Sequence, residues 1–397
     1  MEANAARAEV KTAPEEANKA RGGAHKARVE AERARTQAST VRGGAGDARG
    51  EVNDGRGGAE NVHEKADGAR GSCGEATAAV PEVAVVIPVR DRACMVREAI
   101  ASVVAQTHRD HAVVVVDDGS SDGSAAAARE ALAQARVPWQ VVRQPARGVA
   151  TARNAGAAAV DSAWIAFLDS DDLWLARKLD RQMAWLAARP AYRIAQTGER
   201  WLERGRHRNP RAWHRKEERV FRRGLERCLV SPSAVVIRRD LFADAGGFDE
   251  SFTLCEDYEL WLRLTLHEPV GLVPETLVVK RGGHADQLSR STWGLDRFRV
   301  AALAKLLATT PLGGEDREAA VTTIRRKCEV LAGGALRRGR PEEARRYRAL
   351  AATAGCLAEE LAVAGSACHS YPLHSGMAGC LPQERAAAPH LEPGPQG

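Results

Sequence analysis

The sequence predicts an α/β fold: a mixed, mainly parallel sheet with helices on both faces, followed by a C-terminal helical appendix and flanked by disordered termini. Two observations carry this. Short apolar runs alternate four times with segments whose apolar residues recur at helical spacing, joined by short connections. The runs also end abruptly in polar or acidic residues, as buried parallel strands do at the sheet edge where ligands gather.

Residues 83–89 (Val-Ala-Val-Val-Ile-Pro-Val) read as a first strand closed by a proline, and 92–106 place Met95, Ala99, Ile100, Val103 and Val104 at helical spacing. The run 112–116 is a second strand, ending in Asp117-Asp118-Gly119-Ser120-Ser121-Asp122-Gly123-Ser124. An Ala-rich helix to about 135, a strand over 139–142 and a helix opening at about 149 follow, and the run 164–168 ends at Asp169. The pattern continues with a helix over 174–188 and a strand-like 192–197. Residues 200–227 hold eleven Lys or Arg with Trp201, Trp213 and Phe221 interspersed and read as a long functional loop over the cleft. Order returns with the strand 233–237, the turn 245–249, the helix 256–267 with Leu260, Trp261 and Leu264 on its core side, and the strand 277–280. Three helices close the ordered part, over 293–308, 316–331 and 341–361.

The chain of 397 residues suits one principal domain with attachments. Residues 2–79 contain no Leu, Ile, Phe, Trp or Tyr and cannot bury enough apolar area to offset chain ordering. The expected division is a disordered tail over 1–80, the main domain over 81–290, a helical extension over 291–364 and a second disordered tail over 365–397, whose His369, His374 and Cys380 are not read as a metal site. The net charge of +6 favours anionic ligands or an anionic surface. Eight cysteines without CxxC spacing read as reduced thiols in a cytosolic protein. No apolar stretch is long enough to span a bilayer, and the N-terminus lacks the apolar core of a secretory signal.

Chemistry concentrates at the strand ends. Asp169-Ser170-Asp171-Asp172 crowds three carboxylates that repel one another unless a cation lies between them, and hard oxygen ligands suit Mg²⁺ or Mn²⁺; the same residues also suit a solvated turn capping the next helix. Asp117-Asp118 ends a strand on the same edge, so one acidic pair can serve a metal and the other a ribose or base. Read locally, 118–124 is a turn with a helix cap at Asp122 or Ser124. Arg147 and Arg153 flank Gly148 at a helix N-terminus, where a phosphate contact and an ion pair are both readings. Glu256-Asp257 opens an amphipathic helix. Acids there are ordinary caps, but a cleft that holds a nucleotide diphosphate by metal and transfers its other substituent also needs a carboxylate off the metal to act as base.

In this order and spacing, Val-Val-Ile-Pro-Val, Val-Val-Asp-Asp-Gly-Ser-Ser-Asp-Gly-Ser, Gly-Val-Ala-Thr-Ala-Arg-Asn-Ala-Gly, Phe-Leu-Asp-Ser-Asp-Asp, Gly-Gly-Phe-Asp-Glu and Cys-Glu-Asp-Tyr-Glu-Leu-Trp-Leu-Arg resemble the family 2 glycosyltransferases of GT-A fold, the Rossmann-like nucleotide-diphospho-sugar transferases, over residues 83–289. The resemblance implies a metal-dependent, inverting transfer of a sugar from a nucleoside diphosphate sugar to a hydroxyl acceptor, a polysaccharide, lipid-linked or other cell-envelope glycan. It implies that Asp169 and Asp171 form the DxD motif, Asp171 ligating Mn²⁺ or Mg²⁺ directly, with His284 near the metal or diphosphate. Pro88, Val89, Arg90, Asp117, Asp118, Arg153, Asp169 and Ser170 then belong to the nucleotide-sugar site, and Asp257 is the base. The QxxRW motif of processive members is not found, which implies single addition.

The basic stretch 200–227 then suggests a cytoplasmic enzyme docking peripherally on the anionic inner membrane face. It carries no recognised RNA-binding motif, which argues against nucleic acid. Two alternatives stand beside this: a nucleotidyltransferase acting on sugar phosphates, disfavoured because Pro88-Val89-Arg90-Asp91-Arg92 replaces a Gly-rich loop, and a non-catalytic sugar-nucleotide or RNA-binding protein.

Overall fold

A computed structural model describes residues 69–71, 80–208, 214–284, 287 and 294–356, all within the unit that begins at Lys65. Apart from residues 69–71 and Val80, the tail read over 1–80 lies outside the described residues, as do the tail over 365–397, Trp213, Trp293 and the end of the last helix.

Among the described residues ten strands form one sheet: β1 (Ala69–Gly71), β2 (Val83–Val89), β3 (His111–Asp118), β4 (Trp139–Gln144), β5 (Trp164–Phe167), β6 (Leu173–Trp174), β7 (Ile194–Glu203), β8 (Arg206–Arg208), β9 (Val235–Arg238) and β10 (Gly271–Gly282). Their order is β1-β4-β3-β2-β5-β9-β7-β10-β6, with β8 paired to β7 as a hairpin. The block β4-β3-β2-β5 is parallel, β9 runs antiparallel to both β5 and β7, and β7 and β10 are parallel again.

Strand periodicity sorts the core into two layers. Val85, Ile87, Val113 and Val115 point to the face covered by α1 (Ala93–Val104), α2 (Ser124–Leu132) and α4 (Lys178–Ala187). Val86, Ile165 and Phe167 point to the face covered by α3 (Val149–Ala159), α6 (Arg239–Asp244) and α7 (Glu256–Thr265). Helix α3 lies so close to the sheet that a Cβ on Gly156 would fall 2.3 Å from Val86 Cγ1. The outer face of α7 presents Tyr258 and Leu262 to α5 (Phe221–Gly224), α8 (Asp296–Thr309) and α9 (Gly314–Arg337), and α10 (Pro341–Thr353) packs on α9. The helical appendix is thus built on the helix that carries Asp257. No described helix is long and apolar enough to cross a membrane.

Two expectations change. Trp174 does not begin a helix but lies in β6, paired antiparallel to Val278, and the helix starts at Lys178. The stretch 200–227 is only partly a loop: its first residues continue β7 and return through β8, and Phe221–Gly224 is helical. Alternation is weak there because the strands line a cavity and carry charge. Ala69–Gly71 pairs with β4 through its backbone.

A proline inside a central strand needs a reason. Leu168 N donates to Val86 O at 3.0 Å, and the β2–β5 register stops at Val86 opposite Phe167. The N–H that Pro88 lacks would point the same way as Val86, past the end of β5, where no strand needs it. The sheet opens at that point, and the acidic loop begins there.

Candidate active site

The C-terminal ends of β2, β3 and β5, the face of β7 and β10, and the N-terminus of α7 surround one cavity of about 1490 Å³. The expected residues Pro88, Val89, Arg90, Asp118, Arg153, Asp169, Ser170, Asp171 and Asp257 all line it. His284 is not part of the wall, yet its Nε2 lies 2.9 Å from Asp171 Oδ2. Asp117 is not part of it either: its buried carboxylate accepts from Ser120 N at 2.9 Å and faces Arg143 Nε at 3.5 Å. In this arrangement the Asp117 carboxylate shapes the turn that follows β3.

Asp118 braces the wall. Its carboxylate accepts from Gln144 Nε2 at 2.8 Å, Arg147 N at 2.8 Å and Gly148 N at 2.9 Å, which fixes the entry to α3. Gly119 permits this with φ +73°, since a Cβ there would meet Ala146 N at 2.7 Å. The N-cap of α2 is Gly123 rather than Asp122 or Ser124; Asp122 instead ties two elements, Oδ1 accepting from Ser124 N and Oδ2 from Ala93 N, both at 2.9 Å, which joins the start of α1 to the loop before α2.

The acidic loop after β5 is held by cations that sequence spacing does not reveal. Arg153, nearly buried, donates through Nη2 to Asp169 Oδ1 at 2.8 Å and through Nη1 to Glu256 Oε1 at 2.6 Å. Lys280 Nζ sits 3.0 Å from Asp172 Oδ2 and 3.7 Å from Asp169 Oδ2, and Arg92 Nη1 lies 3.0 Å from Asp171 Oδ2. Burial would raise the Asp169 pKa, but Arg153 and Lys280 outweigh it and hold the group at about 2. Asp172 goes the other way: burial, with Asp171 and Asp169 adding to it, pushes it to about 6 against the pull of Lys280. Glu256 is raised to about 7 by burial, with Arg153 opposing and Asp257 reinforcing.

One ligand oxygen from each of Asp169, Asp171 and Asp172 can be chosen so that all lie within 4.8 Å of one another. Asp172 is committed elsewhere, accepting from Ser233 Oγ at 2.7 Å and Arg281 N at 3.0 Å besides its contact with Lys280. Asp169, which also bonds Arg153, and Asp171 offer the hard carboxylate oxygens that suit a divalent cation such as Mn²⁺ or Mg²⁺, and the His284 imidazole lies beside Asp171.

Asp257 is half-buried at the first turn of α7. Its Oδ1 accepts from Tyr258 N at 2.7 Å and its Oδ2 from Cys228 Sγ at 3.4 Å. Cys255, at the helix N-cap, adopts φ +62°, a left-handed conformation costly for a β-carbon residue, and it turns the chain into α7 at this wall. Arg92 and Lys280 escaped the sequence reading as site residues, while Glu256 entered it only as the neighbour of Asp257 and Trp201 only as part of the basic stretch. Only Glu256 carried a signal, being adjacent to Asp257; Lys280 and Trp201 meet across β10 and β7, a register visible only in the fold.

Fold and site together define a GT-A domain. Residues 84–246 match the family model for glycosyl transferase family 2. Over 196 residues the chain is 27% identical to an uncharacterized glycosyltransferase of Rickettsia felis, covering 49% of this chain and 32% of that protein. Over 188 residues it is 28% identical to the Escherichia coli UDP-Glc:alpha-D-GlcNAc-diphosphoundecaprenol beta-1,3-glucosyltransferase WfgD, covering 46% of this chain and 69% of that one. The crystal structure of S. aureus TarS 1-349 in complex with UDP superimposes with a TM-score of 0.52 at 15% identity, covering 70% of this chain and 88% of that chain, a likeness of fold. Residues 84–246 therefore carry a family 2 glycosyltransferase domain; the chain spans less than half the length of the Rickettsia relative.

Proposed function

We propose that the domain transfers a glycosyl group from a nucleoside diphosphate sugar to a hydroxyl acceptor with inversion. One observation carries the reading: the Asp169-Ser170-Asp171 loop and Asp257 face the same cavity and are linked through Arg153, which bonds Asp169 and the Glu256 next to Asp257. Asp257 takes the proton of the acceptor hydroxyl as its oxygen forms a bond to the anomeric carbon. The bond from that carbon to the diphosphate oxygen breaks on the opposite side, and the nucleoside diphosphate leaves. Asp169, Asp171 and His284 would hold Mn²⁺ or Mg²⁺, which supplies charge neutralisation for the leaving diphosphate. Asp118, Pro88 and the loop over residues 146–148 shape the nucleoside end, and Arg153 keeps Asp169 ionised at the metal end.

Uridine diphosphate sugars are the proposed donors, supported by the TarS crystal structure with UDP-GlcNAc, of the same fold, and by WfgD, which takes UDP-Glc. The proposed acceptor is a cell-envelope glycan or lipid-linked saccharide. A panel of nucleoside diphosphate sugars tested for Mn²⁺-dependent thermal stabilisation decides the matter, because a ligand at 100 times its dissociation constant adds about 2.7 kcal/mol. Indifference of the wild-type protein to every donor would sink the reading.

A further inference from the structure

The sequence places an anionic contact in the basic stretch 200–227, but the structure engages much of that charge internally. Arg208 pairs with Glu203, Lys216 with Glu199 at 3.4 Å and Arg223 with Glu217 at 2.8 Å, while Arg222 reaches Glu315 and Asp316 of α9 at 2.7 and 2.6 Å.

A second concentration lies at the turn from α9 to α10. Residues 336–348 read Leu-Arg-Arg-Gly-Arg-Pro-Glu-Glu-Ala-Arg-Arg-Tyr-Arg, six arginines against two glutamates. All six arginines are exposed. Leu336 is 44% exposed and Val330 is 58% exposed, the latter seven residues before Arg337 and so on the same stripe of α9. Arg340 pairs with Glu343 at 3.6 Å, Arg345 with Glu342 and Arg348 with Glu329 at 4.0 Å. These are surface pairs, which hold the side chains weakly and leave the excess positive charge in place.

The turn is also placed with respect to the cavity. Leu295, just before α8, lines the cavity wall, and Lys327 of α9 bonds Asp296 at 2.9 Å. Leu331 of α9 lies 4.0 Å from where a Cβ on Gly294 would be. This part of α9 therefore flanks the cavity wall, and the basic turn begins five residues beyond Leu331, roughly 7.5 Å along the helix.

We propose that the α9–α10 turn docks the domain on an anionic lipid bilayer, guanidinium groups meeting the headgroups and Leu336 and Val330 entering the interface, with the nearby cavity held at the membrane surface. The pairing of exposed aliphatic side chains with clustered arginine fits a bilayer. A single-stranded nucleic acid would want exposed aromatic rings to stack on, and the one aromatic of the segment, Tyr347, is half-buried against the α8–α9 core. The docking does not depend on the sugar-transfer reading. Its consequence, that the acceptor hydroxyl is carried by a membrane-borne molecule, does rest on it.

The test is co-sedimentation of the full chain with vesicles of phosphatidylcholine alone and with about 30 mol% phosphatidylglycerol. Wild type is expected to partition at least about tenfold better to the anionic vesicles, less so as salt rises. The triple variant Arg337→Glu, Arg338→Glu, Arg340→Glu should lose about tenfold or more of that partition, and Leu336→Asp several-fold. Circular dichroism melting monitors folding, and the triple Arg→Gln variant serves if the charge reversal unfolds. Donor-dependent thermal stabilisation should be unchanged in all of them, which separates this proposal from the functional one. Equal wild-type binding to neutral vesicles, no binding, or a folded triple variant that still pellets would overturn the proposal. So would binding of polyuridine, without vesicle binding, that the triple variant loses.

Discussion

At the scale of single residues, the site is a set of charges that hold one another. Among the described residues Asp257 accepts from Tyr258 N and Cys228 Sγ and forms no ion pair, so its removal leaves the surrounding ion pairs intact. Asp257→Ala is expected to lower turnover by about 10² to 10⁴ in a sugar-transfer assay while donor-dependent stabilisation persists. Arg153 behaves differently, because its two ends bond Asp169 and Glu256. Arg153→Met removes the buried cation that bridges both carboxylates, leaving Asp169 only the more distant Lys280, and should cost about 3–5 kcal/mol in urea unfolding. Glu256 gives a pH signature. Its pKa rises from 4.5 to about 7 on folding, so the folded state binds the extra proton, and the stability it contributes is complete below 4.5 and lost as pH rises through 7. Glu256→Gln should flatten the stability curve over that window by on the order of 2 kcal/mol relative to wild type, read from unfolding at a series of pH values.

At the scale of elements, β2 and its neighbours were legible because strands buried on both faces are continuous apolar runs, and residues 83–89, 111–118 and 164–167 are buried almost throughout. Legibility fades where a strand faces the cavity. β7 carries Glu199, Trp201 and Glu203 on the face that meets Lys280 of β10, and β10 shifts register twice between Val273 and Val278, with Pro274 inside it. Neither strand could show the alternation of a half-buried sheet while supplying a polar wall. The Trp174 helix start failed for a related reason, since two residues of β6 carry no pattern. Helix α3 offers a test of packing. Gly156→Ala forces a methyl against Val86 and should destabilise by about 1–3 kcal/mol in denaturant unfolding, with the m-value unchanged.

At the scale of the whole molecule, the order of acidic motifs along the chain was readable, but their convergence was not. Asp169 and Lys280 meet only because β9 reverses the sheet direction and brings β10 back toward the end of β5, and Asp257 reaches the same cavity from α7. The same assembly sets what ligand binding should do globally. Asp171→Asn is expected to abolish Mn²⁺-dependent stabilisation by a donor while leaving the metal-free melting temperature within a few degrees, measured by differential scanning fluorimetry.

The family match ends at residue 246, ten positions short of α7, whereas Asp257, Lys280 and His284 come afterwards and the outer face of α7 is covered by α5, α8 and α9. Anyone excising a minimal fragment at that boundary would discard Asp257, the proposed base. A cut placed after β10 would keep Asp257 but strip Tyr258 and Leu262 of their cover. Grafting acceptor preferences between relatives must therefore move the C-terminal helices together with the segment they shelter.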